Sequence, residues 1–323
     1  LSGNWSTKGD VWNTPSPFNA AHPFGYFGGG RNISSNGVTT VDRVDYSNDT
    51  ATAAAKGPLS AARAYIGATG NASFGYFGGG IVPGPATLST VDRIGYSNDT
   101  ATASVKGPLS LARTSLAATG NSSFGYFAGG YVSADISTVD RIDYSNDTPT
   151  AVVKGPLSAA KRVLGATGNR DFGYFGGGYP AKSTVDRIDY SNDTATASPK
   201  GPLSVARYGM GATGNASFGY FGAGDGGSVV STVDRIDYSN DTATAAAKGP
   251  LSVARRYPGA TGNASFGYFG GGSGVVSTVD RIDYSSDTGT APAKGPLSVA
   301  RYGLAATSSQ ANGITDLTLF PAS

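Results

Sequence analysis

The sequence predicts an all-β protein in which one four-stranded unit is repeated six times. All 22 acidic residues are aspartate, so glutamate, a good helix former, is absent, while glycine occurs 49 times. Aspartate and glycine favour turns, and no apolar pattern with the 3.6-residue period of a helix is present. A phrase of alternating aromatic residues and glycine recurs about every 48 residues, beginning at Phe24, Phe74, Phe124, Phe172, Phe218 and Phe266.

Each repeat contains four short strand-like runs, which we name strands a to d. Typical copies are "YGMGATG" for strand a, "FGYFGGG" for b, "TVDRIDY" for c and "ATAAAKG" for d. Turn sequences separate them: "GNAS" between a and b, a variable stretch between b and c, "SNDT" between c and d, and "KGPLS" after d. Four strands in a unit of this length are typical of a β-propeller blade. We therefore predict a six-bladed propeller with four antiparallel strands per blade.

The count of strands predicts how the ring closes. The propeller spans residues 24–309, and its first blade begins at strand b without a strand a of its own. The run "RYGLAATSS" at residues 301–309 is an additional strand a, and we expect it to complete that blade.

Residues 1–23 and 310–323 lack repeat character. They are expected either to pack beneath the propeller or to dock it to a neighbouring chain. Since the chain starts at Leu1 with no signal peptide, we expect a processed chain or a segment.

Composition argues against several functions. The net charge is +2 and the basic residues are not clustered, so no nucleic-acid surface is expected. No apolar run approaches 18 residues, so no membrane insertion is expected. Without cysteine, and with His22 as the single histidine, the chain has no typical zinc or copper ligand set, and no phosphate-binding loop follows the glycines. We predict no cofactor, no metal and no catalysis.

The "DYSNDT" turn allows two further interpretations. Asp45, Ser47 and Asp49 alternate as in a calcium loop, but Thr50 replaces the usual glycine and Lys56 the usual glutamate. The same turns and the "GNAS" turns contain Asn-X-Ser/Thr sequons, which are glycosylated in some secreted proteins. The simpler interpretation, which we favour, is that these residues form tight turns. Sequons occur at Asn48, Asn71, Asn98, Asn146, Asn192, Asn215, Asn240 and Asn263.

Two zones differ among the six repeats. One is the b–c connection, which reads "RNISSNGVT" in the first repeat and "YPAK" in the fourth; the other is the start of strand a. In an antiparallel blade the b–c and d–a connections emerge on one face, so both zones are expected there. Loops on a rigid scaffold commonly carry binding. We therefore predict a ligand site on this face, near the mouth of the central channel.

The candidate ligand-binding residues are of two kinds. The variable zones supply tyrosines, whose flat apolar rings and polar tips suit sugars and protein surfaces: Tyr65, Tyr131, Tyr179, Tyr208, Tyr257 and Tyr302. A basic residue at the end of each "PLS" segment forms the second set, which would attract an acidic ligand: Arg63, Arg113, Lys161, Arg207, Arg255 and Arg301. The alternative for the second set is pairing with aspartates that stabilises the blade junctions.

The repeats resemble kelch repeats. "YFGGG", "VDRIDYSNDT" and "GPLSVAR" are similar to the kelch order of a strand ending in paired glycines, an acidic strand and an arginine that opens the next blade. The resemblance covers all six repeats and implies a kelch-like propeller. The outer-strand tryptophan usual in kelch repeats is replaced by threonine or alanine, so no particular kelch function is implied.

The wording "STVDRIDYSNDTATASVKGPLS" also resembles repeats in virion structural and tail-fibre proteins of marine bacteriophages, especially cyanophages. This resemblance implies an extracellular or virion location and a non-catalytic attachment module that recognises a host surface glycan or protein. The terminal segments would then contact neighbouring virion or filament subunits. Two alternatives remain: a purely structural virion or extracellular scaffold, and a polysaccharide hydrolase or lyase.

Overall fold

The chain folds into a ring of six four-stranded antiparallel sheets, which confirms the predicted propeller. The structure is a computed structural model and describes residues 23–84 and 86–310. The segments 1–22 and 311–323, and with them His22 and both tryptophans, lie outside the described residues. The predicted docking of these segments therefore remains a prediction.

The described residues form twenty-four strands, numbered β1–β24 in chain order, which occupy the four predicted positions in every blade. The inner strands (a) are β4 (Gly67–Gly70), β8 (Ala117–Gly120), β12 (Gly165–Gly168), β16 (Gly211–Gly214), β20 (Gly259–Gly262) and β24 (Ala305–Ser308). The second strands (b) are β1 (Phe24–Gly28), β5 (Phe74–Gly78), β9 (Phe124–Ala128), β13 (Phe172–Gly176), β17 (Phe218–Gly222) and β21 (Phe266–Gly270).

The third strands (c) are β2 (Val41–Asp45), β6 (Val91–Gly95), β10 (Val139–Asp143), β14 (Val185–Asp189), β18 (Val233–Asp237) and β22 (Val279–Asp283). The outer strands (d) are β3 (Ala54–Lys56), β7 (Ser104–Lys106), β11 (Val152–Lys154), β15 (Ser198–Lys200), β19 (Ala246–Lys248) and β23 (Ala293–Lys294). Single 3₁₀ turns follow three of the third strands, at Tyr96–Asn98, Tyr190–Asn192 and Tyr238–Asn240.

The C-terminal strand completes the first blade, as the strand count predicts. The order in that sheet is β24-β1-β2-β3, and β24 pairs with β1 in the register Tyr26↔Thr307. The same register joins strands a and b in the second blade, where Tyr76 pairs with Thr69. The two ends of the propeller are thus held by an ordinary blade sheet, and the ring has no weaker joint there.

Glycines in strand b allow neighbouring blades to approach closely. A Cβ placed on Gly78 would lie 2.6 Å from the ring of Phe127 on β9 in the next blade, and the Phe127 side chain is fully buried. On the same strand, a Cβ on Gly75 would lie 2.6 Å from the Thr307 methyl group of the preceding blade. The aromatic–glycine alternation is therefore a packing pattern, in which the phenylalanine of one blade fills the space above a glycine of its neighbour, or above Ala128 in the third blade.

Stacked tyrosine pairs form a second contact at every junction. Tyr76 on β5 stacks on Tyr144, which follows β10 in the next blade, with ring centroids 4.8 Å apart. The Tyr144 hydroxyl in turn lies 3.0 Å from Thr69 Oγ1 of the first of these blades. Six such pairs use 12 of the 18 tyrosines: Tyr26–Tyr96, Tyr76–Tyr144, Tyr126–Tyr190, Tyr174–Tyr238, Tyr220–Tyr284 and Tyr268–Tyr46.

A carboxylate from each "SNDT" turn completes the junction. Asp147 Oδ2 accepts hydrogen bonds from the Tyr76 hydroxyl at 2.9 Å and from Arg93 Nη1 at 2.8 Å, and Lys106 Nζ lies 3.2 Å from its Oδ1. All three donors belong to the preceding blade. The structure thus explains both the lysine that ends each outer strand and the aspartate of the turn. Each junction combines an apolar cluster with a nearly buried ionic one.

We predict that Gly78→Val lowers the free energy of unfolding by at least about 2 kcal/mol, because the new side chain overlaps the fixed ring of Phe127. Gly95→Ala is the matched control, since the nearest atom to a Cβ there is 3.8 Å away and the other repeats carry aspartate at this position. Urea denaturation of both variants measures the difference. Equal stability of the two variants would contradict the packing account.

Candidate functional site

Both variable zones lie on one face of the ring, as predicted, and they contact each other directly. The residue after the glycine pair of strand b bridges to the start of strand a in its own blade, as in Thr114↔Tyr131 and Arg162↔Tyr179. In blade one the equivalent bridge joins Arg31, which follows the first strand of the propeller, to Tyr302, which precedes the last strand. We call this side the variable face, and the side with the "GNAS" and "SNDT" turns the constant face.

A closed ring of backbone hydrogen bonds surrounds the channel mouth on the variable face. One residue per blade donates its N–H to the carbonyl of the equivalent residue in the preceding blade, at 2.6–3.0 Å. Each of these residues has a positive φ between 55° and 70°. The members of this mouth ring are Tyr65, Ser115, Val163, Gly209, Tyr257 and Gly303. Because every donor and acceptor of the ring is used, the mouth is a rigid platform for the side chains above it.

The channel below the mouth ring is narrow. The mouth-ring residues, the glycines and alanines of the inner strands, and Ile66 with its counterparts line a cavity of about 100 Å³ at the upper end of the channel. Such a volume holds several water molecules and is well below the 300–1,000 Å³ of typical ligand pockets. A ligand larger than a few atoms must therefore bind on the mouth and not within the channel.

The six predicted tyrosines meet at this mouth in one connected group. Tyr65 contacts Tyr257 and Tyr302 with ring centroids 5.4 and 6.2 Å apart, and Tyr208 contacts Tyr179 and Tyr257 at 5.2 and 6.4 Å. Tyr131 joins the group through a shared arginine. Together with the 12 junction tyrosines, these six account for all 18 tyrosines of the chain.

Arginines that sequence reasoning did not select connect the tyrosines. The guanidinium of Arg162 lies between two rings, 4.4 Å from the centroid of Tyr131 and 4.7 Å from that of Tyr179. Arg256 donates to the Tyr208 hydroxyl at 3.0 Å and to Asp225 at 2.6 Å. These contacts fix the aromatic rings in place before any ligand binds, which lowers the entropic cost of binding.

Protonation at the mouth suits hydrogen bonding. Burial raises the pKa of Tyr65 to about 12, and burial and the hydrogen bond to Asp225 raise the pKa of Tyr208. The pKa of Asp225 is lowered, chiefly by the hydrogen bond from the Gly227 N–H and also by those from Tyr208 and Arg256. Burial opposes this shift but does not outweigh it. Near neutral pH the mouth therefore presents neutral hydroxyl groups and an ionised, paired carboxylate.

The second candidate set does not form a ligand site, and this part of the prediction is wrong. The side chains of Arg63, Arg113, Lys161, Arg207, Arg255 and Arg301 are at most 1% exposed. Each points into its blade. Arg113 Nη2 donates to the Phe127 carbonyl at 3.0 Å and Arg113 Nη1 to Asp140 at 2.8 Å. Burial lowers the pKa of Arg113, and the charge of Asp140 opposes this shift.

The buried basic residues instead pin the segment that enters each blade. Asp140 also accepts from the hydroxyl of Ser110 at 2.6 Å and from its backbone N–H at 3.0 Å. The "PLS" segment is thereby fixed to strand c of the next blade, as the alternative to ligand binding predicted. The same ion pair occurs in every blade: Arg63–Asp92, Arg113–Asp140, Lys161–Asp186, Arg207–Asp234, Arg255–Asp280 and Arg301–Asp42.

Arg31, Arg162, Arg256 and Lys182 are the basic residues that do lie in the variable zones. The feature of the sequence that distinguishes them is that a basic residue stands at each of these positions in only one or two repeats. The buried position, by contrast, carries a basic residue in all six repeats. A residue that recurs in every repeat has a structural role in the blade, whereas a residue that differs among the repeats is free to contact a ligand.

The carboxylates of the calcium-like turns do not come together. No group of three or more His, Cys, Asp or Glu side chains among the described residues is placed to hold a metal ion. In the first "DYSNDT" turn, Asp45 accepts from the N–H and hydroxyl of Ser47, whereas Asp49 accepts from Arg281 of another blade. The two carboxylates therefore have different partners and do not converge. Within the described residues no helix is long and apolar enough to cross a membrane.

Fold and site together define a β-propeller whose variable face carries a pre-ordered tyrosine–arginine mouth. Comparison of the chain with models of known protein families and with curated proteins found no match.

We predict that Arg113→Lys costs about 1 kcal/mol of stability, because Lys161 makes both equivalent contacts in the fourth blade, to Asp186 at 3.1 Å and to the Phe175 carbonyl at 3.2 Å. Arg113→Met leaves Asp140 buried without its partner and is expected to cost about 3–5 kcal/mol. Thermal and urea unfolding compare the two. Equal losses of stability in both variants would show that the charge of residue 113 does not contribute to stability, which would contradict the ion-pair account.

We predict that Val163→Gly raises the free energy of unfolding by about 0.5–1 kcal/mol. The φ of Val163 is 58°, a region that is costly for a β-branched residue, and Gly209 and Gly303 occupy equivalent positions in the mouth ring. Val153→Gly in the exposed outer strand β11 is the control and should lower stability. A loss of stability in Val163→Gly would show that side-chain packing outweighs backbone strain there.

Proposed function

We propose that the chain is a non-catalytic binding module that recognises a saccharide on a host cell surface through the tyrosine–arginine mouth. The observation that carries the proposal is the gathering of all six variable-zone tyrosines around one rigid platform. Flat rings with fixed hydroxyl, guanidinium and carboxylate groups beside them match the apolar faces and polar edges of sugar rings.

The distribution of exposed apolar residues supports the choice of this face. Of the exposed large apolar side chains among the described residues, eight lie in the b–c and d–a connections and three on outer strands. The eight are Ile33, Leu111, Val132, Tyr179, Val205, Val229, Val253 and Val299. Contiguous exposed apolar surface is typical of interaction sites, and the described part of the constant face contributes no large apolar side chain to this set.

The path of the chain supports an attachment role. The described chain enters at Pro23, whose carbonyl accepts from the Tyr46 N–H, and leaves at Gln310 after strand β24. Both points lie on the constant face. A propeller held by its terminal segments would therefore present the variable face outward. The resemblance of the repeats to bacteriophage appendage proteins supports a virion as the object to which it is attached.

Two alternatives lead to different expectations. A purely structural scaffold would depend on the terminal segments for assembly and would tolerate replacement of the mouth tyrosines. A polysaccharide hydrolase or lyase would show turnover that is lost in Asp225→Asn. The lowered pKa of Asp225 and its pairing with Arg256 suit an ion pair better than proton donation.

We predict that the double substitution Tyr131→Ala and Tyr179→Ala lowers saccharide affinity at least about ten-fold, because it removes both rings that hold Arg162. The measurement is binding of the full chain to a glycan array containing neutral, carboxylated and sulfated saccharides, and to whole host cells. Val153→Ala on the outer edge is the matched control and should bind as the unaltered chain does.

Loss of binding in the tyrosine variant, with unfolding unchanged, supports the proposal. Absence of binding to every saccharide and cell, or equal binding by the tyrosine variant, contradicts it and favours the scaffold. Release of shortened saccharides from the array favours the enzyme.

A further inference from the structure

The charges at the mouth are unevenly balanced. Arg162 pairs with Asp135 at 3.2 Å, and Arg256 pairs with Asp225 at 2.6 Å. No described carboxylate lies within 4.0 Å of the guanidinium of Arg31, nor of the ammonium group of Lys182 in blade four. Arg31 therefore carries an unneutralised positive charge at the mouth, whereas Arg162 in blade four and Arg256 in blade six are each paired with an aspartate of the preceding blade.

The backbone holds Arg31 beside the aromatic group. Its N–H donates to the Tyr302 carbonyl at 2.8 Å, and its carbonyl accepts from the Tyr302 N–H at 3.1 Å. The guanidinium lies 5.4 Å from the centroid of the Tyr65 ring. Tyr65 in turn contacts Tyr257 and Tyr302, so an apolar surface adjoins the cation.

The loop that follows Arg31 is shaped to present polar groups. Asn32 Oδ1 accepts the N–H groups of Ser34 and Asn36 at 3.0 and 3.1 Å, which folds the loop back on itself. Ser34, Ser35 and Asn36 are exposed. Two further backbone hydrogen bonds close the loop, from the Asn32 N–H to the Asn36 carbonyl at 3.1 Å and from the Ser35 N–H to the Asn32 carbonyl at 2.9 Å.

We propose that Arg31, Tyr65 and Tyr302 form a subsite for the anionic group of an acidic saccharide, a carboxylate or a sulfate ester. This inference rests on the proposed function and specifies its ligand. The planar guanidinium binds a carboxylate or sulfate through two parallel hydrogen bonds, and the sugar ring that carries the anion packs on the tyrosines. Arg162 and Arg256, which are already paired with aspartates, contact the remainder of the saccharide.

The experiment compares binding of the full chain to dextran and dextran sulfate, which share one backbone, and to polygalacturonate, which supplies carboxylates. The acidic subset of the glycan array is tested alongside. Arg31→Ala and Arg31→Lys are the test variants. Arg170→Ala is the matched control, because Arg170 is exposed on the constant face and its loss changes the net charge equally.

We expect acidic saccharides to bind at least ten-fold more tightly than neutral ones, and less tightly at higher salt. Arg31→Ala should lower the acidic affinity about ten- to hundred-fold, Arg31→Lys should restore part of it, and Arg170→Ala should leave it unchanged. Preference for sulfate or for carboxylate then identifies the anion.

Three outcomes would overturn the inference. Equal affinity for neutral and acidic saccharides, with no effect of Arg31→Ala, refutes the anionic subsite and leaves the binding module standing. Equal losses in Arg31→Ala and Arg170→Ala show attraction by net charge alone. Absence of binding to every polymer and array saccharide refutes the proposed function together with the subsite.

Discussion

A nearly buried carboxylate at each junction between blades is the interaction on which the rest of the ring depends. Asp147 receives a phenol, a guanidinium and an ammonium group from the preceding blade, and Asp49 of blade one receives the same three from Tyr268, Arg281 and Lys294 of blade six. A blade touches only its neighbours, so the ring is as strong as its junctions. The junction between blades six and one repeats the ordinary junction, and the two ends of the propeller meet in an ordinary a–b strand pairing within blade one.

This constraint separates the constant part of the repeat from the variable part. The junction requires tyrosine in each stack and aspartate in each turn, so these residues recur in every blade, and a glycine lies beneath the neighbouring phenylalanine in all blades except the third, where Ala128 takes its place. The hydrogen-bonded mouth ring requires backbone geometry more than particular side chains, and tyrosine, serine, valine and glycine all occupy it. Side chains at the mouth are therefore free to differ from blade to blade, which is what a single asymmetric ligand needs.

The fold was predictable because the strand and turn sequences recur in every repeat, and because the additional copy of strand a at residues 301–309 indicates how the ring closes. The face that carries the variable zones and the position of the mouth tyrosines followed from strand order alone. The direction of the Arg113 side chain did not, since a residue at the top of a blade can point to the channel or into the sheet. Only the position of Asp140 on the third strand decides this. Arg31 and Arg256 escaped notice because neither belongs to the repeat, and the positive φ of Val163 has no sequence signal.

The central claim is that a constant scaffold presents the mouth as the binding surface. Hydrogen–deuterium exchange of the whole chain, with and without a saccharide that it binds on the array, tests this most directly. The account predicts that protection increases in the b–c connections and at the starts of the inner strands, with the "GNAS" and "SNDT" turns unchanged. Protection confined to those turns on the constant face would contradict it.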